Sequence, residues 1–368
     1  MPKTVFSLTF AALCCLFWLP APAQLVGGLE WSDQPLPDSR EGRAIASSSQ
    51  ALVVVGTEGL ILRSNDGENW QLVNSPFTED FRVVTYADGQ FVAGGDAEEI
   101  LVSSDQGLSW QIRQLPPPFG SVSYLHSIVY FNGAWFLANA NNRLLRSDDL
   151  TIFEELAPPL STGIGSGSLR SLVATESLLA SWHMLVLPLP PVAHLHILRL
   201  GTDGVDWEIG NNPNWFYGIR AEGNRLLISG SLEYMTHIPS IAVSENGLNW
   251  EQFNDPELMY LFRVIGATPS SYLVRSNEFG SGDLSADTMW LYHSNDLQHW
   301  QVAFMTDGSP LDTARWQGGW VVVTLRSIVR GQMPPTQPVP LGAAWAWLML
   351  VLLLLVMTFF WRQKGIGR

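Results

Sequence analysis

Short runs of apolar residues alternate with polar turns along most of the chain, and each run follows a turn that contains Gly or Ser. Short apolar runs bounded by turn residues predict β-strands rather than helices. Clear copies are YADGQFVAGG at 86–95, YFNGAWFLAN at 130–139 and RAEGNRLLISG at 220–230, and weaker ones are ASSSQALVVVG at 46–56, ATESLLASW at 174–182 and ATPSSYLVRS at 267–276. Each copy predicts an inner strand a, a tight turn and a second strand b.

A second pattern follows each of these hairpins: a small polar residue, an Asp or Asn, and then a Trp or Phe four or five residues later. The copies are SNDGENW at 64–70, SSDQGLSW at 103–110, SDDLTIF at 147–153, GTDGVDW at 201–207, SENGLNW at 244–250 and SNDLQHW at 294–300. Their aromatic residues are 40, 43, 54, 43 and 50 residues apart. One such turn per 40 to 50 residues is typical of a β-propeller with four strands, a to d, in each blade.

A further copy of the repeat is split between the two ends of the folded region. ARWQGGWVVVT at 314–324 supplies strands a and b, and SIVRG at 327–331 supplies strand c, but no aromatic signature follows. LEWSDQPLP at 29–37 resembles NWQLVNSP at 69–76, with Trp31 in the place of the aromatic residue. The sequence therefore predicts an all-β, seven-bladed propeller whose N-terminal strand completes the last blade and removes its open edge.

The recurring turn residues are predicted to be structural. The Ser or Asp side chain accepts backbone hydrogen bonds, Gly67, Gly107, Gly204 and Gly247 supply turn geometry, and the aromatic ring packs on neighbouring strands. One acidic side chain in each turn is too few oxygen ligands for calcium. The residues concerned are Asp66, Trp70, Asp105, Trp110, Asp149, Phe153, Asp203, Trp207, Asn246, Trp250, Asp296 and Trp300.

The two ends of the chain differ from the repeats. Residues 1–23, with Lys3, an apolar run and Ala21-Pro22-Ala23, predict a secretory signal peptide before a propeller over 24–330. A Pro-rich linker follows over 331–340, and the uncharged apolar stretch 341–361 is long enough for a transmembrane helix. The basic tail 362–368 places the C-terminus in the cytoplasm by the positive-inside rule. Together these features predict an exported propeller in the periplasm, tethered to a bacterial inner membrane.

Charge and cysteine content exclude several classes of function. The predicted mature region before the tail has 16 arginines, no lysine and 34 acidic residues, a formal net charge of −18. Such a surface repels nucleic acid, so DNA or RNA binding is not expected. Both cysteines, Cys14 and Cys15, lie in the signal peptide, which excludes disulfides, thiolate metal sites and Cys nucleophiles from the mature protein.

The repeated turn resembles the Asp-box (BNR) repeat of sialidases, sortilin-type receptors and xyloglucanases. VVVGTEGLILRSNDGENW at 53–70 also resembles the repeat unit of the photosystem II assembly and stability factor family and its bacterial relatives. The resemblance covers about residues 27–330 and implies the fold, whereas activity must be argued from a site. It implies a non-enzymatic protein that binds a partner and assists the assembly of a membrane complex.

A sialidase-like glycosidase or a glycan-binding lectin is the alternative that this resemblance leaves open. No Arg-Ile-Pro type motif lies between Gln24 and Ser64, and no Tyr–Glu nucleophile pair can be assigned from spacing, so no catalytic residue is predicted. The tail from Pro338 resembles bacterial C-terminal sorting tails in its layout, although it lacks their Pro-Glu-Pro motif. A permanent anchor and a cleaved sorting signal therefore both remain open.

One position of strand a is predicted to carry a partial basic ring around the channel. Aligned on the following apolar runs, it reads Arg43, Arg82, His126, Arg170, Tyr217, Arg263 and Leu311 in successive blades. The guanidinium groups there can hold carboxylates of a partner peptide or an acidic ligand. Pairing of each arginine with neighbouring acids in the channel wall is the alternative.

Loop length suggests a second binding feature. The connections between strands b and c are short in the first three blades but long in the next three, at 182–196, 231–240 and 277–289. Since these connections share one face with the d–a connections, Trp215, Phe216 and Tyr217 of NNPNWFYG are predicted to lie beside them. A protein or peptide partner is therefore expected on this long-loop face, unless the insertions are neutral.

His194 and His196 in HLH have a spacing that can chelate a metal, and His183 lies nearby in the sequence. No third ligand is compelled by the sequence, so neither a metal site nor a cofactor is predicted. The sequence as a whole predicts a non-enzymatic, membrane-tethered propeller that binds a protein or peptide.

Overall fold

The computed structural model describes residues 25–117, 124–156, 168–185, 192–201, 204–209, 215–231, 239–254, 262–277 and 288–334. These residues form seven antiparallel four-stranded sheets. Their strands are β1 (Glu30–Pro35), β2 (Gly42–Ser47), β3 (Leu52–Gly56), β4 (Ile61–Ser64), β5 (Gln71–Leu72), β6 (Phe81–Ala87), β7 (Gln90–Gly95), β8 (Glu99–Ser103), β9 (Gln111–Gln114), β10 (Leu125–Phe131), β11 (Ala134–Asn139), β12 (Leu144–Ser147), β13 (Glu154–Leu156) and β14 (Ser168–Ala174). The second half comprises β15 (Leu179–Leu185), β16 (Val192–Gly201), β17 (Gly204–Ile209), β18 (Trp215–Glu222), β19 (Arg225–Ser231), β20 (Pro239–Ser244), β21 (Glu251–Phe253), β22 (Phe262–Thr268), β23 (Ser271–Asn277), β24 (Thr288–Ser294), β25 (Gln301–Asp307), β26 (Pro310–Trp316), β27 (Gly319–Thr324) and β28 (Ser327–Gln332). A short 3-10 turn spans Thr57–Gly59.

The sheets are arranged as a closed ring around a channel. Six sheets consist of four consecutive strands each, from β2–β5 to β22–β25, and the seventh has the order β1-β28-β27-β26. The first strands of these sheets, β2, β6, β10, β14, β18, β22 and β26, each contact the next, and β26 contacts β2. The all-β propeller prediction is therefore confirmed.

The N-terminal strand completes the seventh sheet, as predicted. β1 pairs antiparallel with β28 over six residue pairs, from Glu30 opposite Gln332 to Pro35 opposite Ser327. The Trp31 ring packs on the same apolar layer as Leu29, which is buried. β1 covers the hydrogen-bonding edge of β28, so no strand edge is left open where the ring closes.

The core of the propeller is a series of apolar layers between consecutive sheets rather than one central core. The layer between the first and second sheets joins Val53 and Ile61 to Phe81 and Phe91, and the other six pairs of neighbouring sheets have equivalent layers. Strands b and c are apolar at consecutive positions because both of their faces are covered by neighbouring sheets. This packing explains why their sequences do not alternate between apolar and polar residues.

The recurring turns have the hydrogen bonds that the sequence predicts. In the first, the Asp66 carboxylate accepts the backbone N–H groups of Glu68 and Asn69 at 2.8 and 2.7 Å, and Ser64 Oγ accepts that of Gly67 at 2.8 Å. Gly67 has a left-handed φ of 76°, and the equivalent Leu150 and Leu297 adopt the same conformation with buried side chains. The aromatic residues Trp70, Trp110, Phe153, Trp250 and Trp300 pack, half-buried, against the apolar layers.

These turns make the stability of the propeller depend on pH. Partial burial raises the pKa of Asp66, but the hydrogen bonds from Asn69, Glu68 and Ser64 outweigh it and hold that pKa below its ordinary value of 3.8. A carboxyl group with a lowered pKa stabilises the fold fully above the unfolded pKa and loses that contribution as the pH falls toward the folded value. We expect the free energy of unfolding to be constant from pH 7 to about 5 and to fall between about pH 4 and 2.

Asp66→Asn tests this dependence on pH. The variant should keep the turn, because Asn246 accepts the same two backbone hydrogen bonds in its own turn, both at 2.9 Å. The variant should keep most of its stability at neutral pH and lose about 1 kcal/mol less than the wild type between pH 5 and pH 3, after allowance for solvent screening. Urea unfolding at these pH values measures the difference. Parallel pH curves for the two proteins would contradict the assignment.

Several predicted segments differ from the structure. The predicted loop 182–196 is mostly strand, because β15 and β16 continue as a long hairpin up to the pair Leu185 and Val192. Trp215, Phe216 and Tyr217 belong to the inner strand β18 rather than to a connection, because Trp215 and Phe216 pair with β19 and Tyr217 is the extra residue between Phe216 and Gly218. The predicted start of the linker at residue 331 is two residues too early, since Gly331 and Gln332 still pair with β1.

The predicted signal peptide, the apolar stretch 341–361, the basic tail and Asp203 lie outside the described residues. So do 186–191, 232–238 and 278–287, the central parts of the three long connections. Within the described part of the chain, no helix has the length and apolar character needed to cross a membrane.

Candidate binding site in the central channel

The seven aligned positions of strand a have a shared backbone feature. In six sheets the register between strands a and b shifts by one residue, and the residue left without a partner is Arg43, Arg82, His126, Arg170, Tyr217 or Leu311. In the sixth sheet the shift falls later, between Val264 and Gly266, and Arg263 pairs with Arg275. A bulge re-aims the side chain at its position, which is why such irregularities are common beside functional sites.

Two arginines of this set are paired with acids in their own sheet. Arg43 forms an ion pair with Glu41 at 3.0 Å. Arg82 forms a two-point ion pair with Asp96, and its guanidinium lies 4.3 Å from the centre of the Tyr124 ring. At these two positions each arginine is therefore paired with a neighbouring acid, which is the structural alternative to binding a partner.

The other predicted positions give less information. His126 Nδ1 lies 3.0 Å from Ser127 Oγ, and Leu311 is half-buried on β26. The backbone of Arg170, Trp215, Phe216 and Tyr217 is described, but their side chains are outside the described part. The prediction of a partial basic ring therefore remains untested, because some of its members lie outside the described side chains.

Arg263 lies instead in a compact charged group that we call the channel cluster: Arg220 on β18, Arg263 on β22, Arg275 on β23 and Asp312 on β26. Arg220 Nη2 is 3.1 Å from Asp312 Oδ1, an ion pair that links the fifth sheet to the seventh. Asp312 Oδ2 also accepts the backbone N–H of Ile45 at 3.2 Å. The Arg220–Asp312 pair joins inner strands that are separated in the ring by the inner strand of the sixth sheet, β22.

Arg275 is fixed by neutral groups. Its Nη1 donates to Ser309 Oγ at 2.6 Å and to the Pro310 carbonyl oxygen at 2.7 Å. Arg263 stands directly opposite it in the strand pair, and like charges in that relation destabilise a sheet. Arg263 makes no hydrogen bond or ion pair with any residue in the described part of the chain. The cluster thus holds three guanidinium groups and one carboxylate.

The electrostatics of Arg263 follow from this arrangement. Burial, followed by the neighbouring Arg220 and Arg275 charges, lowers the pKa of Arg263 to about 10. Burial and Arg220 also lower the pKa of Arg275, whereas burial raises that of Asp312 against the opposing effect of Arg220. The Arg263 side chain nonetheless keeps an exposed surface, and it lies on β22, the inner strand of the sixth sheet. It remains charged at neutral pH and is available to an anion.

A comparison of equivalent positions in the seven blades could have identified Arg220 and Asp312, which the sequence analysis did not single out. At the strand-a position of Arg220, counted from the a–b turn, other sheets have residues such as Ala46, Thr85 and Gly266. At the position of Asp312 they have Ala44, Val83 or Gly218. The signal is a charged residue at a position where other repeats have a small or apolar residue. Gly218 also leaves room for Arg263, because a Cβ there would lie 3.1 Å from Arg263 Cγ.

A second group of polar side chains, near the junction of the last two sheets, has a structural role. His293 Nε2 lies 2.9 Å from Ser271 Oγ, which accepts the indole N–H of Trp320 at 2.8 Å. Burial, assisted by Arg315, lowers the pKa of His293 to about 4. These contacts fix the sixth sheet against the seventh. Among the side chains that the structure describes, no three His, Cys, Asp or Glu residues form a group that could hold a metal ion.

Asp312→Asn tests the balance of charge in the channel cluster. Arg220 would lose its carboxylate partner, so we expect the free energy of unfolding to fall by about 1–3 kcal/mol. Asp33→Asn on the exposed face of β1 removes the same charge and should have no measurable effect. Urea unfolding of both variants gives the comparison, and equal stabilities would show that Asp312 is not needed by the arginines.

Comparison with known proteins supports the fold. No family model and no curated protein matches the chain. A solved structure described as YCF48 bound to D1 peptide has a TM-score of 0.61 and 17% identity, over 83% of this chain and 97% of that one. YCF48 from Cyanidioschyzon merolae has a TM-score of 0.57 and 14% identity, over 83% of this chain and 99% of that one. At this identity the similarity establishes a shared β-propeller architecture.

Proposed function

We propose that this chain is an exported, membrane-tethered and non-enzymatic propeller that binds a protein or peptide partner through its channel cluster. The observation that carries the proposal is Arg263, which has no hydrogen bond or ion pair among the described residues and lies near the charges of Arg220 and Arg275 in a protein whose net charge is strongly negative. Guanidinium groups bind carboxylates through paired, directional hydrogen bonds, so the partner presents an acidic segment or a free carboxylate.

Three lines support this reading over an enzyme. The similar structures include one described as bound to a peptide. The cluster has one carboxylate, which is already paired with Arg220 and hydrogen-bonded to Ile45, so no general base faces the channel from this group. The predicted signal peptide and C-terminal apolar stretch would place the propeller beside membrane proteins, and by resemblance its role is to assist assembly or stability of a membrane complex.

In-cell crosslinking tests the proposal. The full-length chain carries an affinity tag, and captured material is examined by mass spectrometry for proteins and for glycans. We expect a discrete membrane or envelope protein whose capture is reduced by the substitution Arg263→Gln and retained by Arg113→Gln, which removes a charge from the outer strand β9. Recovery of a specific glycan without a protein partner would replace this proposal with the sialidase-like alternative.

A further inference from the structure

The chain contains two Asn-Gly pairs, Asn132-Gly133 and Asn246-Gly247, which lie in different surroundings. In such a pair the backbone nitrogen of the glycine can attack the side-chain carbonyl carbon of the asparagine, because the glycine has no side chain to hinder the approach. Both asparagines are exposed, so exposure alone does not separate the two pairs. The hydrogen bonds around each pair do separate them.

Asn132-Gly133 is the tip of the a–b hairpin of the third sheet. The turn has only these two residues, because Phe131 on β10 pairs with Ala134 on β11. Asn132 has a φ of 49° and Gly133 a φ of 80°, both positive, as a type I′ hairpin turn requires. Gly133 is exposed, with no other atom within 4 Å of the place that a Cβ would take. Within the described part of the chain, neither the Asn132 side chain nor the Gly133 N–H makes a hydrogen bond.

Asn246-Gly247, in contrast, is held by hydrogen bonds on both residues. The Asn246 side-chain oxygen accepts the backbone N–H groups of Leu248 and Asn249, both at 2.9 Å. It also lies 3.2 Å from the Ser244 hydroxyl. The Gly247 N–H, the group that would have to attack, is buried and donates to Ser244 Oγ at 2.8 Å. This turn must therefore open before Asn246 can react.

We propose that Asn132 is a site of spontaneous deamidation in the folded protein. The Gly133 nitrogen bonds to Asn132 Cγ, the bond from Cγ to the side-chain nitrogen breaks, and that nitrogen leaves as ammonia with the proton of the Gly133 N–H. Water then opens the resulting succinimide ring at one of its two carbonyl groups. The product is aspartate or isoaspartate, and either one adds a negative charge to the turn. The site is independent of the channel cluster and of the function proposed for it.

The two products differ in what they do to the hairpin. An aspartate at position 132 fits, because Asp88-Gly89 forms the same two-residue turn in the second sheet, with φ angles of 48° and 74°. Isoaspartate lengthens the backbone of the turn by one methylene group. Phe131 and Ala134, which close the turn, are both buried, so the longer connection disturbs a packed pair. Isoaspartate should therefore destabilise the third sheet, and aspartate should not.

Peptide mapping by mass spectrometry tests the site on purified full-length protein kept at mildly alkaline pH. We expect aspartate and isoaspartate to accumulate at position 132 about tenfold faster or more than at position 246, because several hydrogen bonds must open before Asn246 can react. In urea, where neither pair keeps its folded surroundings, the two rates should agree within about twofold. Equal rates in the folded protein would overturn the proposal. So would the absence of product at position 132 under conditions in which the unfolded chain reacts.

Asn132→Gln is the matched control, because Gln317-Gly318 forms the same two-residue turn in the seventh sheet, with φ angles of 48° and 81°. A glutamine would have to form a larger ring and reacts much more slowly, so this variant should keep its Tm during the incubation. The Tm of the wild type should fall as isoaspartate accumulates. An equal fall in both proteins would contradict modification at Asn132 as the cause.

Discussion

Arg263→Gln is expected to lower the affinity for the captured partner at least tenfold without lowering the stability of the fold, because it removes one of two like charges that stand opposite each other. Arg263 is the guanidinium of the channel cluster that has no hydrogen bond or ion pair within the described residues, so its substitution breaks none of these there. Removing one member of a desolvated charge pair across an interface typically costs 2 kcal/mol or more, about thirtyfold in affinity. The dissociation constant is measured by titration of full-length protein with the partner identified by crosslinking.

Arg113→Gln is the control for this result. It removes the same charge from the outer strand β9, where the guanidinium donates hydrogen bonds to the Ile112 carbonyl oxygen and the Gln111 side chain. Its effect on affinity should be less than twofold, since an exposed charge is screened. Equal losses in the two variants would show that the arginines act through overall charge and would contradict a specific site.

Removal of residues 25–36 is expected to have the largest effect on folding. The deletion takes away β1 and the buried Val26, Leu29 and Leu36, and it exposes the hydrogen-bonding edge of β28. Loss of the three apolar side chains alone amounts to on the order of 5 kcal/mol, a large part of the stability of a typical domain. The exposed edge also favours association between copies. Urea unfolding and size-exclusion chromatography measure both effects.

Two point variants separate the closure of the ring from a general effect of sequence change. Trp31→Ala should cost about 2–4 kcal/mol, because the ring packs on the last apolar layer and against Gly331. Ser32→Ala, on the exposed side of the same strand, should stay within about 0.5 kcal/mol of the wild type. A deletion variant that remains monomeric and fully stable would contradict closure by β1.

Much of the fold could be predicted because each blade repeats the same local chemistry. The turn around Asp66 and the aromatic Trp70 depend on hydrogen bonds and packing within a few residues, so the sequence pattern carries them directly. The pairing of β1 with β28 was predictable because the last repeat lacked its outer strand. The length of strands β15 and β16 was not, since the apolar, proline-containing sequence between them has no counterpart in the other repeats.

The candidate site was predicted only in part, for a physical reason. Arg263 was found because it occupies the aligned position of strand a, whereas Arg220 and Asp312 sit at positions that other blades fill with small or apolar residues. Their meeting depends on a contact between the fifth and seventh sheets, which are not neighbours in the ring. Local pattern cannot show such a contact. It also cannot distinguish Arg82, which is neutralised by Asp96, from Arg263, which is not.

Site-specific photocrosslinking in cells is the most direct test of the channel as the binding site. A photoreactive amino acid replaces Leu311, which lies on the inner strand β26 beside Asp312, or Ile152, whose side chain is 78% exposed on an outer turn. Binding in the channel predicts a discrete protein adduct from position 311 that disappears in the Arg263→Gln background, with no such adduct from position 152. An adduct from position 152 alone, or one from 311 that persists without Arg263, would contradict the channel cluster as the binding site.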